Sequence, residues 1–201
     1  MNRVELKQQA KDSLKGKYKE TIKLLLVVFL IEFVISLLGG NGEEVTSMTY
    51  ISQILSIALA VLLEMGTVSF FLKISRNQEV TFKELFSKVN LWLPYLIIAL
   101  TTSIFTLLWS ILFIIPGIIT AISYSLVYYI LLDNPGMKTT EIISKSKEMM
   151  KGHKMDYVIL NLSFLGWAIL GAFTLGILYF WLIPYIAVTN ANFYNKIKES
   201  N

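Results

Sequence analysis

Cysteine is absent from the 201 residues and histidine occurs once. Disulfides, thiolate metal sites and cysteine nucleophiles are thereby excluded. A lone His153 cannot build a histidine-based metal cluster. Charge is scarce as well. Charged residues make up 16% of the chain, against about 25% in a typical soluble domain. Enzyme signatures are missing too: there is no Gly-x-Ser-x-Gly elbow and no His-Glu-x-x-His. Gly166-Trp167 and Gly171 are not followed by the Gly-Lys-Ser/Thr of a nucleotide loop. The expectation is a protein that is not an enzyme and needs no cofactor.

What is present is apolar. Hydrophobic residues form 55% of the chain, aromatics 13%, and the mean hydropathy is +0.61. The eighteen Lys and Arg residues fall into four clusters: seven in Arg3 to Lys23, four in Lys73 to Lys88, five in Lys138 to Lys154, and Lys196 with Lys198. Between successive clusters runs a long apolar stretch, broken near its middle by a turn that carries no cation. Basic residues beside membrane spans stay on the cytoplasmic side. The pattern predicts an all-α, polytopic membrane bundle: six transmembrane helices in three hairpins, with cytoplasmic amphipathic helices and both termini cytoplasmic. Six crossings of about 20 residues leave no room for a separate soluble domain. A pI near 9.1 ordinarily raises nucleic acid as a partner. Here the cations flank apolar spans, so anionic lipid headgroups are the expected partners.

The chain reads as a single domain, residues 1–201. Residues 1–23 form an amphipathic N-terminal helix, polar in a way that a cleavable signal is not. Its stripe is Leu6, Ala10, Leu14, Tyr18 and Ile22, suited to lying in the headgroup plane, with Gly16 as a weak point. Hairpin one covers 24–72, with Gly39-Gly40-Asn41-Gly42-Glu43-Glu44 as its outer loop. Residues 73–90 are cytoplasmic, where Thr81 and Glu84 have the spacing of a capping box. Hairpin two covers 91–132 and turns at Pro116-Gly117. Residues 133–154 are cytoplasmic, with a helix over Thr139–Lys151 whose stripe is Ile142, Ile143, Met149 and Met150. Hairpin three covers 155–195, turns at Thr174-Leu175-Gly176, and carries Pro184 in its second helix. Leu14-Lys15-Gly16-Lys17 echoes Met150-Lys151-Gly152-His153 at the same point before a span. That is a short match of the kind chance supplies.

Few residues carry chemistry. Glu32 lies nine residues after Lys23 and Glu64 nine before Lys73, so both fall about 13 Å inside the cytoplasmic edge. They are the candidate intramembrane proton or cation site, since two adjacent acids raise each other's pKa. The competing reading is a pair of protonated acids that only join helices. Asn161, Ser163, Asn190 and Asn192 place amides and a hydroxyl at or near membrane depth, where they join helices or line a cavity. Lys145, Lys147, Lys151, His153 and Lys154 are the candidate headgroup contacts.

A family resemblance rests on an ordered set of motifs: Ile115-Pro116-Gly117-Ile118, Tyr124-Ser125, Asp133-Asn134-Pro135, Ser144-Lys145-Ser146-Lys147, Met150-Lys151-Gly152-His153-Lys154, Leu162-Ser163-Phe164-Leu165-Gly166-Trp167, Thr174-Leu175-Gly176, Pro184-Tyr185 and Asn192-Phe193-Tyr194. Over residues 105–195 the chain resembles the bacterial integral membrane family called domain of unknown function 975, frequent in Gram-positive bacteria. The N-terminal half matches in hydropathy alone. The family is similar in layout to the membrane domain attached to some glycerophosphodiester phosphodiesterases. The resemblance implies a six-helix module of the bacterial plasma membrane beside lipid metabolism, and carries over no catalytic residue. The expected role is to bind or transport an amphipathic ligand, a lipid or a hydrophobic peptide. The alternative is a scaffold or assembly factor whose basic amphipathic helices dock a cytosolic partner.

Overall fold

The Asn2 side chain accepts hydrogen bonds from the backbone N–H groups of Val4 and Glu5 and so caps the first helix. This computed structural model describes residues 2–38 and 47–200, and no strand occurs among the described residues. The helices are α1 (Arg3–Leu14), α2 (Tyr18–Leu38), α3 (Ser47–Ser75), α4 (Trp92–Leu112), α5 (Ile114–Ser123), α6 (Val127–Asp133), α7 (Thr139–Met149), α8 (Lys154–Leu162), α9 (Leu165–Phe173) and α10 (Tyr179–Ser200). Two 3₁₀ turns, Phe82–Phe86 and Val89–Leu91, link α3 to α4. The glycine-rich loop expected around Asn41 lies outside the described residues.

Burial is concentrated at the end of the molecule that carries the basic residues. Leu6, Ala10 and Leu14 of α1, Leu72 and Ile74 of α3, Ile130 and Leu131 of α6, Ile142 and Met150 around α7, and Phe193, Tyr194 and Ile197 of α10 are all nearly or fully buried. At the opposite end, apolar side chains point outward. Ile111, Leu112, Phe113, Ile114 and Ile115 are exposed around the α4–α5 turn, and Phe173 and Leu175 around the α9–α10 turn. An exposed apolar surface of this extent is what lipid contact requires.

Ser56–Ser75, Phe82–Leu112, Ile114–Asp133 and Lys154–Phe173 are long and apolar enough to cross a membrane. Four such segments, rather than the expected six, stand out among the described residues. The expected first span lies in α2, which ends at Leu38, the last described residue before 47. The expected sixth lies in α10, which is apolar to Val188 and polar from Thr189 onward, so half of it belongs to the basic end.

That end explains the first departure from expectation. The α1 stripe does not face a headgroup plane; it packs on α10 and α3. Lys196 faces Glu5 at 3.9 Å, Asn192 donates to the Leu6 carbonyl, and Lys11 sits over Tyr185. Helix α1 therefore runs antiparallel along the polar half of α10. The α7 stripe is likewise buried, against α6 and α4. A period of 3.6 shows that one face must be covered, and here protein covers it.

Two turns also differ from the sequence reading. Hairpin two reverses at the single extended residue Phe113, φ −155°, not at Pro116-Gly117. Pro116 sits in the first turn of α5, where a missing N–H costs nothing. Gly117 allows the close crossing of α4 and α5, because a Cβ there would lie 2.2 Å from Ser110 Oγ. The Thr81 side chain makes no capping bond. Glu84 instead accepts from Ser69 Oγ at 2.9 Å, Lys73 Nζ at 2.7 Å and Ser87 Oγ at 2.6 Å. This pulls the linker back along α3 as far as Gly66, whose missing Cβ would meet the Leu85 backbone oxygen at 2.1 Å. Pro184 lies inside α10, which continues through it.

The echo between the two Lys-Gly motifs has a structural counterpart. Gly16 has φ +81° and Gly152 φ +86°. Lys17 N–H donates to the Leu14 carbonyl, and His153 N–H donates to the Met150 carbonyl, at the same offset. Each glycine ends an amphipathic helix in the left-handed region and lets the next helix begin two residues later.

Candidate functional site

The densest polar cluster sits where α3, α6 and α10 end together. Asp133 closes α6 and accepts four hydrogen bonds: from Arg76 Nη1 at 2.8 Å, Arg76 Nη2 at 2.7 Å, Lys198 Nζ at 2.7 Å and Tyr194 Oη at 2.9 Å. Arg76 also donates to Asn195 Oδ1, and Asn195 Nδ2 donates to Ser75 Oγ. Two cations on one carboxylate leave a local excess of positive charge. A cleft of about 460 Å³ opens beside them, lined by Gln9, Ser75, Arg76, Asn192, Asn195, Lys196, Lys198 and Glu199. Of this cluster, only Asn192 was a candidate site residue from the sequence, although Asp133 and Tyr194 stand in the family motifs. A signal existed: Asp133 follows directly after an apolar run, and Arg76 stands four residues past the end of another, at Leu72.

A second cleft, of about 450 Å³, runs between α1, α9 and α10. Lys7 and Lys11 of α1 stand at one end. Lys7 Nζ lies 4.0 Å from the centroid of the Phe164 ring and 3.4 Å from the Ser163 carbonyl oxygen. Lys11 Nζ lies 5.7 Å from the Tyr185 ring centroid. Phe164 and Tyr185 meet edge to face at 5.2 Å. Tyr18, Trp167, Leu178, Trp181 and Leu182 line the rest. Burial, then the neighbouring Lys11 and Arg3 cations, hold the Lys7 pKa below the usual lysine value.

The residues expected from the sequence are distributed as follows. Glu32 and Glu64 are both exposed, and no hydrogen bond or ion pair joins them among the described residues. The polar neighbours of Glu64 are Tyr95 and Tyr128, whose rings stack at 4.5 Å. The Tyr95 hydroxyl is buried without a well-formed hydrogen bond. Asn161 and Asn190 exchange reciprocal amide bonds at 3.3 and 3.2 Å, tying α8 to α10. Asn192 ties α10 to α1 through the Leu6 carbonyl. The Ser163 hydroxyl donates to the Leu160 carbonyl within its own helix turn. Lys145, Lys147 and Lys151 are exposed, and Lys154 is half-buried; Lys147 lies 5.4 Å from the Tyr124 ring centroid. His153 has Asp156 Oδ2 at 3.6 Å from Nδ1.

A family model described as "Protein of unknown function (DUF975)" matches residues 1–124 and 111–201. The chain belongs to this family. The match covers the N-terminal half as well, which the motif resemblance had linked by hydropathy alone. No curated protein and no solved structure matches the chain. Family membership therefore names no substrate, and the DUF975 chain must be interpreted from its own clefts.

Proposed function

We propose that this chain is a multi-pass protein of the bacterial plasma membrane, with three hairpins and cytoplasmic termini, that binds or moves an amphipathic ligand without chemical conversion. One observation carries the reading. The cleft between α1 and hairpin three has ammonium groups at one end and indole and aliphatic walls along the rest. A ligand with an anionic head and an apolar body, lipid or hydrophobic peptide, complements such a surface. The scaffold alternative has less support, because the apolar stripes of α1 and α7 are already covered within the protein.

Native mass spectrometry of the purified chain tests the reading. A co-purifying lipid or hydrophobic peptide is expected, and a chain free of every amphiphile overturns it. Topology has its own test, made clean by the absence of native cysteine. Single cysteines at Asn41 and at Ser144 are probed on whole cells with an impermeant thiol reagent. Labelling at Asn41 alone is expected; labelling at Ser144 but not Asn41 overturns the orientation.

A further inference from the structure

We propose that the cleft between α1, α9 and α10 binds one anionic membrane phospholipid, its phosphate held by Lys7 and Lys11 and an acyl chain lying along Trp167, Leu178 and Trp181. The inference rests on the amphipathic-ligand reading above and gives it a site and a ligand class.

Charge complementarity supports it first. Lys23, Lys73, Arg76, Lys196 and Lys198 each face a carboxylate in the structure. Among the described residues, Lys7 and Lys11 make no such pair. Their ammonium groups are instead held over the rings of Phe164 and Tyr185, an arrangement that fixes direction but leaves the positive charge uncompensated. Lys7 also feels the repulsion of Lys11 and Arg3. A phosphate between the two lysines would relieve that repulsion.

The sense of the cleft supports it second. The cations stand at the level of Ser163 and Tyr185. Trp167 lies about 6 Å further along the helix axis toward the α9–α10 turn, and Trp181 and Leu178 lie on the same side of Tyr185. Charge therefore gives way to indole and aliphatic surface, in the sense in which a phospholipid presents its phosphate and then its chain. Tryptophan suits that boundary, where one part of the ring meets polar groups and the rest meets hydrocarbon. A free phosphate would use the lysines and leave the walls empty, so the lipid is the source that accounts for the whole cleft.

The test uses the full chain in detergent, titrated with phosphatidylglycerol or phosphatidylcholine and read by native mass spectrometry. Phosphatidylglycerol is expected to bind one to one and more tightly than phosphatidylcholine. K7Q/K11Q is expected to weaken phosphatidylglycerol by about 30-fold, the contribution of two interfacial lysines. K7R/K11R should retain it, and K15Q/K19Q, which removes two exposed cations from the same region, should leave it unchanged. Equal binding of the two lipids, or equal losses in K7Q/K11Q and K15Q/K19Q, overturns the proposal. So does tight binding of glycerol phosphate alone, which would make the site one for a soluble anion. A photoactivatable phosphatidylglycerol gives a readout on the unmodified chain: crosslinks are expected within 163–185, and crosslinks confined elsewhere overturn the site. If a neutral lipid or a peptide is retained instead, this inference fails while the broader reading stands. If nothing is retained, both fail.

Discussion

Arg76 and Asp133 form a two-pronged ion pair across 57 residues of sequence, with both guanidinium nitrogens within 2.8 Å of a carboxylate oxygen. The parallel geometry suits the planar fork of arginine and would not suit lysine. The pair ties the end of α3 to the end of α6, and Tyr194 and Lys198 bring α10 to the same carboxylate. Three apolar segments are thus locked at one level.

The lock should be costly to break from its centre and cheap from its rim. D133N leaves two cations facing each other without a counter-charge. The expected loss is about 3 kcal/mol, at the lower end for a broken buried pair because the Arg76 side chain remains 30% exposed. K198A removes a partner that is 51% exposed and should cost less than about 1 kcal/mol. Thermal unfolding in detergent compares the two. Equal losses would show that Asp133 is not the hub.

Close approach at two glycines makes a second contrast. G66A drives a methyl group into the Leu85 backbone, which cannot turn aside as a flexible side chain can. The overpacking should cost about 1–3 kcal/mol or more. G166A meets nothing within 4 Å in α9 and should be stabilising by about 0.5–1 kcal/mol, the helical preference of alanine over glycine. Unfolding midpoints of opposite sign are the expected result.

Gly16 and Gly152 should respond alike. Nothing crowds either position, so the cost of alanine is the left-handed backbone alone, about 1–2 kcal/mol for each. G16N and G152N should recover part of it, since asparagine tolerates that region. Matching losses measured on the two single variants would support equivalent joints; a silent G152A would refute the equivalence.

The Asn161–Asn190 pair is suited to a double-mutant cycle. Each amide both donates and accepts; N161A removes both bonds of the pair from Asn190, whereas in N190A Asn161 keeps its bond to the Tyr157 carbonyl. A coupling of about 0.6 kcal/mol is typical for a hydrogen bond between membrane helices. A coupling of zero would mean that both amides are satisfied elsewhere.

Thr81 and Glu84 separate the sequence reading from the fold. A working capping box would make T81A cost about 1 kcal/mol. Because the hydroxyl makes no capping bond, T81A should be nearly silent. E84A strands Lys73, Ser69 and Ser87 together and should cost about 1–3 kcal/mol. Their relative stabilities in detergent provide the check.

Much of this protein was legible before its structure. Alternating basic clusters and apolar runs marked an all-helical chain with helices apolar and long enough to cross a membrane, because local hydropathy and charge act on the chain residue by residue. The stripes Leu6-Ala10-Leu14 and Ile142-Ile143-Met149 marked which helix faces must be covered, since periodicity is a local property. What covers them was not legible: α10 and α3 lie far from α1 in sequence and α4 lies far from α7, and a stripe looks the same whether lipid or protein receives it. The same holds for charge. Glu84 at capping distance from Thr81 looked local, yet its partners on α3 won because an ammonium and two hydroxyls bind a carboxylate better than one backbone N–H. Arg76 with Asp133, and Lys7 and Lys11 with the aromatic rings of hairpin three, became sites only when tertiary packing brought the ends of separate helices to the same depth.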